Sequence, residues 1–454
     1  MLSEDAHKSA PVPSGRASRL WHLGRAAGGI AAAGAARGLS GLLRGKRPRL
    51  EELALTPANA RLLADRLSRM RGAVMKLGQL LSLDGKGVLP PGFVEILAPL
   101  RGGAHVMPFS QLVGVLEREY GPGWDKRFSR FGFTPIAAAS IGQVHRAETR
   151  DGRVLALKVQ YPGVRESIDS DVENLALLAR IPGLVPEGID LAPLLEQVRI
   201  QLHREADYRA EARALADFGA RLGDDPAFSV PRPHQDLSTE RVLAMDFAEG
   251  EPVDRLAAPD VPRAVRDRVA EALSRLVLRE LFEIGMMQTD PNFANYLYDA
   301  AAGRISLLDF GAARPIDGGL ARGYARLAGA AMDEDRPGVR AAAEALGYLT
   351  PDDRPGHAEG LVDLTILAAE PIRHRGVYDF DASDLLERAN ALGQDLVFRR
   401  GFTRTPPSET LLLHRKLVGT YMLCARLGAG FDARSLVEPW LRDQVIGESR
   451  RSPP

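Results

Sequence analysis

Gln288-Thr289-Asp290-Pro291-Asn292-Phe293-Ala294-Asn295 (QTDPNFAN) is followed downstream by Leu307-Leu308-Asp309-Phe310-Gly311. The first stretch sets an acid and an amide five residues apart, just beyond a helical pattern. The second ends a short apolar strand, Ile305–Leu308, in Asp-Phe-Gly. Either alone is common. Upstream, Val154-Leu155-Ala156-Leu157-Lys158-Val159 puts a lysine into an otherwise apolar strand. A charge there is expensive to bury unless it is paired; read blandly, the lysine sits at a strand edge.

Taken together, strand lysine, loop acid and amide, and second acid stand in the order of phosphoryl-transfer machinery. A lysine neutralises nucleotide phosphates, and Asp309 and Asn295 supply the hard oxygen ligands that Mg2+ requires. Asp290 is placed to accept the proton of an attacking hydroxyl or to orient it. Two features depart from an ordinary protein kinase. Where a Gly-rich loop should precede the lysine strand, the chain has Ala137-Ala138-Ala139-Ser140-Ile141-Gly142-Gln143. Glycine lets backbone N–H groups fold round phosphates at positive φ, and alanine restricts this. The expected cofactor is therefore ATP or ADP with Mg2+, held by an altered grip. Before Asp290 stand Gln288-Thr289 instead of His-Arg. Ser140 lacks a G-x-S-x-G setting, so an anchoring role near the phosphates is expected of it.

Outward from these motifs, the spacing predicts strands over Gln143–Thr149 and Val154–Tyr161 around an Arg150–Arg153 turn. It predicts a long helix over Leu191–Leu222 and a strand over Arg241–Phe247. From Pro262 helices dominate, with Val265, Val269, Ala272, Leu276, Leu281 and Ile284 at helical spacing; Ile305–Leu308 is the one strand expected there. Towards the N-terminus, Thr56-Pro57 is a helix start. Leu63, Leu67, Met70, Val74, Leu77 and Leu81 then form an apolar seam, closed by Asp84-Gly85 and Pro90-Pro91-Gly92. A strand-rich block before a helical block implies an α+β fold with two lobes, and the ordered motifs make a protein-kinase-like fold the expectation. The expected divisions are a basic Gly/Ala-rich arm (1–55), a helical extension (56–130), an N-lobe with the Ala-rich loop (131–250) and a helical C-lobe (251–454).

The 454 residues carry 59 basic and 59 acidic side chains, with 45% hydrophobic residues, which excludes wholesale disorder and a polytopic membrane protein. Residues 1–50 hold nine basic side chains against Glu4 and Asp5. This arm suits anionic lipid or a partner helix, a cleaved transit peptide, or a solvated tail. Only seven of the 59 basic residues are lysine. The single Cys424 excludes an internal disulfide framework and a Cys-rich zinc site, and the nine histidines form no H-E-x-x-H pattern. No 18-residue apolar run spans a membrane. Leu411–Leu441 reads as amphipathic helix carrying Arg415, Lys416, Arg426 and Arg434, closing on a polar tail. The N-terminal arm is then the candidate lipid contact. A bacterial cytoplasm, at the inner face of the membrane, is the expected location, with no nucleic-acid partner.

Lys76-Leu77-Gly78-Gln79 (K-x-G-Q), AAASIGQVH, Glu205-Ala206-Asp207 (E-x-D) and TDPNFAN together resemble the UbiB/AarF family of atypical kinase-like proteins, from about Pro57 to Trp440. The resemblance implies that Lys158 contacts the nucleotide phosphates and that Glu211, on an αC-like helix, is its ion-pair partner. It implies Asp290 as the catalytic-loop acid, with Asn295 and Asp309 as metal ligands. The K-x-G-Q helix would lie over the place where a protein substrate docks, with Lys76 and Gln79 facing Glu205 and Asp207. Helical geometry puts Lys76 and Gln79 on one side. Glu205 and Asp207, two residues apart, are turned from each other by about 200°. Either the helix is irregular there or the two acids serve different partners.

The leading expectation is an ATPase or atypical kinase supporting isoprenoid-quinone (ubiquinone) biosynthesis, with quinone-pathway proteins or lipids as partners. Its rivals are a non-catalytic nucleotide-gated scaffold and a small-molecule phosphotransferase. The K-x-G-Q helix speaks against the last, which needs an open acceptor cleft.

Overall fold

The computed structural model describes residues 72, 73, 76, 106–179, 191–290, 292–402, 404 and 406–449. The arm, the Thr56-Pro57 start, the whole apolar seam from Leu63 to Leu81 as named above with its breaks, and Gln79 lie outside the described residues. Two compact units are present. One ends at Ala216 and includes Arg232–Phe247; the other holds Asp217–Pro231 and everything from Ala248.

In the first unit, helix α1 (Phe109–Tyr120) precedes β1 (Phe128–Phe131), β2 (Ala137–Ala138), β3 (Gly142–Thr149) and β4 (Val154–Gln160). Helices α2 (Val164–Ala179) and α3 (Ala192–Glu205) follow, then α4 (Tyr208–Leu222), whose last residues, from Asp217, belong to the second unit. The next strand, β5 (Phe228–Ser229), belongs to the second unit, and β6 (Val242–Asp246) returns to the first. The sheet runs β1-β3-β4-β6, with β2 also on β3, every pairing antiparallel. The β3–β4 hairpin and β6 fall where the alternating pattern predicts them.

Because side chains alternate across a strand, β4 divides its residues between two faces. Leu155, Leu157 and Val159 are fully buried against Leu112, Val115 and Leu116 of α1. Each such burial contributes roughly 1.5–3 kcal/mol. Lys158 and Gln160 point to the opposite face. The helix expected over Leu191–Leu222 is instead two helices, broken at Ala206-Asp207. The freed Ala206 carbonyl accepts the Gln160 Nε2–H at 2.9 Å.

The second unit opens with β7 (Glu251–Pro252) and α5 (Arg263–Arg279), which passes into a π-turn, Glu280–Ile284. The wider turn accounts for the five-residue step from Leu276 to Leu281 in the apolar pattern. Four strands follow: β8 (Met286–Gln288), β9 (Tyr296–Asp299), β10 (Arg304–Leu307) and β11 (Ala313–Pro315). They form a sheet of order β5-β10-β9-β7 and a β8–β11 pair. The single strand expected here is thus one of several. Runs of two to four residues are too short to display alternation. Helices α6 (Gly318–Met332), α7 (Arg336–Ala345), α8 (Pro355–Ala368), α9 (Glu370–Arg373), α10 (Leu385–Gln394), α11 (Ser408–Arg426) and α12 (Ala433–Ser449) complete it. Its core gathers Val277, Leu281, Met287, Tyr324, Val339 and Leu413.

Candidate functional site

The lysine of β4 is no strand-edge charge. Lys158 Nζ donates to both carboxylate oxygens of Glu211, at 2.8 and 3.0 Å, and lies 5.3 Å from the ring centroid of Tyr208. Lys158 is 7% exposed and Glu211 2%. A bidentate partner and an aromatic face together offset the cost of burying the ammonium. Glu211 is delivered by the first turn of α4, where an acid also suits the helix dipole.

The two acids of E-x-D do serve different partners, because the chain breaks between them. Glu205 ends α3; its carboxylate pairs with Lys76 and accepts the Ser140 hydroxyl. Asp207 precedes α4, and its Oδ1 accepts the Ala210 N–H at 2.9 Å, capping that helix. Lys76 is helical and 1% exposed. One turn earlier a Cβ on Gly72 would stand 3.2 Å from Ile141 Cγ2. The helical residues 72, 73 and 76 therefore sit on the tip of the Ala-rich hairpin.

In that hairpin Ala137 and Ala138 are exposed and pair with Val144 and Gln143. The Ala139 N–H bonds the Gly142 carbonyl at 2.8 Å. None of the alanines adopts positive φ, so the hairpin tip is not a glycine-type phosphate nest. Gly142 is required for a different reason: a Cβ there would meet the Val159 carbonyl at 2.4 Å. Beneath it, the His145 Nδ1–H donates to the Gly132 carbonyl and Nε2 accepts from Gln143, both at 2.7 Å. Gln143 Oε1 accepts the Met107 N–H at 2.9 Å. The chain of bonds suits a neutral imidazole, and burial holds the His145 pKa below its usual value despite the Gly132 bond.

In the second unit the two motif loops are stitched together. Gln288 Nε2 donates to the Asp309 carbonyl, Thr289 Oγ1 to the Ala312 carbonyl at 2.7 Å, and the Leu308 N–H to the Asn295 carbonyl at 3.0 Å. Gln288 and Thr289 stand where a protein kinase has His-Arg, and here they hold the Asp-Phe-Gly segment. Phe310 is buried, 4.8 Å from the Phe218 ring. Asp290 and Asp309 are half-buried; one Asp309 oxygen accepts the Gly311 N–H at 3.0 Å. Asn295 is 8% exposed, and its Nδ2 has no hydrogen-bond partner among the described residues.

One carboxylate and one amide oxygen are hard donors. Among the described residues no group of three or more His, Cys, Asp or Glu is placed to hold a metal. A sparse oxygen set fits magnesium, which keeps waters and takes phosphate oxygens to complete its octahedron.

Sequence reasoning missed four contributors: Gly142, Tyr208, the stitching pair Gln288-Thr289, and Lys416. Lys416 counts in sequence among the basic residues of an amphipathic helix, yet it is 2% exposed and bonded to Glu280 and Tyr296. Burial opposes its charge, but Glu280 and Tyr296 more than compensate and raise its pKa. The scarcity of lysine was the available signal.

Residues 99–343 match the ABC1 atypical kinase-like domain. The chain belongs to the ABC1 atypical kinase-like family. This is the family that the K-x-G-Q, Ala-rich, E-x-D and TDPNFAN motifs resemble, and it carries the kinase-like fold expected of them. Among ABC1 relatives, the mitochondrial atypical kinase COQ8 of Saccharomyces cerevisiae is 39% identical over 95% of this chain and 86% of that protein. The mitochondrial atypical kinase COQ8B of Rattus norvegicus is 38% identical over 96% and 82%. Among solved structures, the Rv3197–erythromycin complex of Mycobacterium tuberculosis is similar at a TM-score of 0.58 and 25% identity, covering 84% of this chain and 95% of that one. No described helix of this ABC1 protein is long and apolar enough to cross a membrane.

Proposed function

We propose that this protein is an atypical kinase or ATPase that binds a Mg-adenine nucleotide and supports isoprenoid-quinone biosynthesis at a membrane surface. The carrying observation is the buried Lys158–Glu211 pair at 2.8 Å. A strand lysine held charged in this way is set to neutralise phosphate oxygens, the role it has in kinase-like chemistry. Asn295 and Asp309 would hold the metal, and Mg2+ supplies charge neutralisation of the phosphates when bound. Asp290 accepts or orients the proton of the attacking hydroxyl. Ala137, Ala138, Ala139 and Ser140 line the nucleotide side of the hairpin, and Glu205 anchors Ser140.

Lys76 and Gln79 belong to the K-x-G-Q motif of a helical extension over 56–130, and with Glu205 and Asp207 at the α3–α4 break they form the regulatory K-x-G-Q/E-x-D set. That extension lies between the arm (1–55) and the lobes, 131–250 and 251–454. Names of the COQ8 type among the relatives favour quinone metabolism. The basic arm is the lipid contact, at the inner face of a membrane.

The deciding experiment is quinone profiling of a deletion strain complemented by wild type and by Asp309→Asn, with ATP hydrolysis by the purified proteins measured alongside. Restored quinone and hydrolysis with wild type only are expected. Full complementation by Asp309→Asn overturns the enzymatic reading and leaves the scaffold.

A further inference from the structure

Lys416 lies on α11, some 120 residues beyond the motif loops. Its Nζ donates to the Tyr296 hydroxyl at 3.0 Å and sits 3.2 and 3.0 Å from the two carboxylate oxygens of Glu280. Glu280, fully buried in the π-turn, also accepts the Gln288 N–H at 3.3 Å. Gln288 precedes Asp290 by two residues, and Tyr296 directly follows Asn295. One ammonium therefore ties both ends of the loop that carries the acid and the amide. Its surroundings include Leu273, Leu276 and Leu423. In such a setting an apolar side chain of similar volume is commonly as stabilising as a buried ion pair. Stability alone does not account for a charge there; geometry does.

We infer that Lys416 is a positioning residue: with Glu280 and Tyr296 it fixes the span of the Asp290–Asn295 loop and thereby the presentation of the Asn295 amide to the metal. This rests on the nucleotide function proposed above. Three variants test it: Lys416→Met; the charge-free pair Lys416→Met with Glu280→Gln, which leaves no buried charge unpaired; and Tyr296→Phe, which frees one end only.

The first measurement is amide hydrogen exchange over Thr289–Tyr296 in nucleotide-free, full-length protein. Faster exchange confined to this loop is expected in the double variant, with Tyr296→Phe intermediate. The second is a Mg2+ titration of ATP binding. The half-saturating Mg2+ concentration should rise about 10–100-fold in the double variant, the usual effect of losing an outer-shell support, while the melting temperature stays near wild type. A double variant with wild-type loop exchange and wild-type Mg2+ dependence overturns the inference. So does one that melts early with its Mg2+ dependence intact, which is what a purely structural pair would give. Wild-type protein without Mg2+-dependent ATP binding overturns the proposed function instead, and loop exchange then decides the clamp alone.

Discussion

Three of the four described lysines, Lys76, Lys158 and Lys416, are buried and ion-paired, in a chain whose 59 basic residues include only seven lysines. A compact ammonium fits an enclosed site that a guanidinium fork does not. Removing one partner should therefore be costly. Glu211→Gln leaves Lys158 charged and buried; it is expected to destabilise the protein by about 3–5 kcal/mol, read as a lowered denaturation midpoint, and to weaken ATP binding. Gly142 illustrates what sequence cannot show. It is legible as a turn residue, but its need to lie against the Val159 carbonyl comes from the β3–β4 register. Gly142→Ala should cost about 1–3 kcal/mol through overpacking, measured by urea denaturation, whereas Gly114→Ala, with open space at its Cβ, should be neutral or stabilising. Lys158, Asp290, Asn295 and Asp309 stand out as candidates in the sequence because phosphoryl-transfer chemistry dictates residue type and order. Tyr208 and Lys416 do not, since a tyrosine or lysine in a helical pattern looks alike whether it faces solvent or a buried charge.

At the scale of elements, the strongest sequence signals were the β3–β4 hairpin and α5, each long enough to express its period. The small strands of the second unit were hidden by their length, and the α3–α4 break by a pattern that stays apolar-periodic across it. The E-x-D spacing left two readings open, an irregular helix or separate partners, since a continuous helix would turn the two acids apart. Instead the chain ends one helix at Glu205 and begins another after Asp207, so each acid closes a different end. The consequence is separable phenotypes. Asp207→Ala removes the cap of α4 and should cost about 1 kcal/mol, with Asp207→Asn largely sparing it; thermal unfolding of the two variants provides the check. Glu205→Gln, in contrast, takes the carboxylate from the buried Lys76 and should lower the melting temperature more than either Asp207 variant, with a change in nucleotide affinity that isothermal titration with ATP reads directly.

For the whole molecule, the α+β kinase-like class was legible from three motifs in order and two lobes were expected, while the assignment of Asp217–Pro231 to the second unit came only from packing. Each unit also encloses a histidine that folding keeps neutral, and this gives the protein a shared acid sensitivity. His145 in the first unit is held below its usual pKa by burial. His414 in the second is pushed down to about 4 by burial, stacked 5.4 Å from the Tyr348 ring, with Nε2 2.9 Å from the Tyr348 hydroxyl. The unfolded chain takes up a proton at each site as pH falls through about 6.5, and the folded chain does not. Their contribution is therefore complete above pH 6.5 and lost progressively below it, in the second unit until about pH 4. For His414 the loss amounts to about 3 kcal/mol at one pKa unit per 1.36 kcal/mol. Chemical denaturation between pH 7.5 and 5.5, above the range where most carboxylates titrate, should show stability falling with pH in wild type. In His414→Phe and His145→Gln the slope should be reduced, each in its own unit. Equal slopes in all three proteins would mean that neither imidazole is kept neutral by the fold.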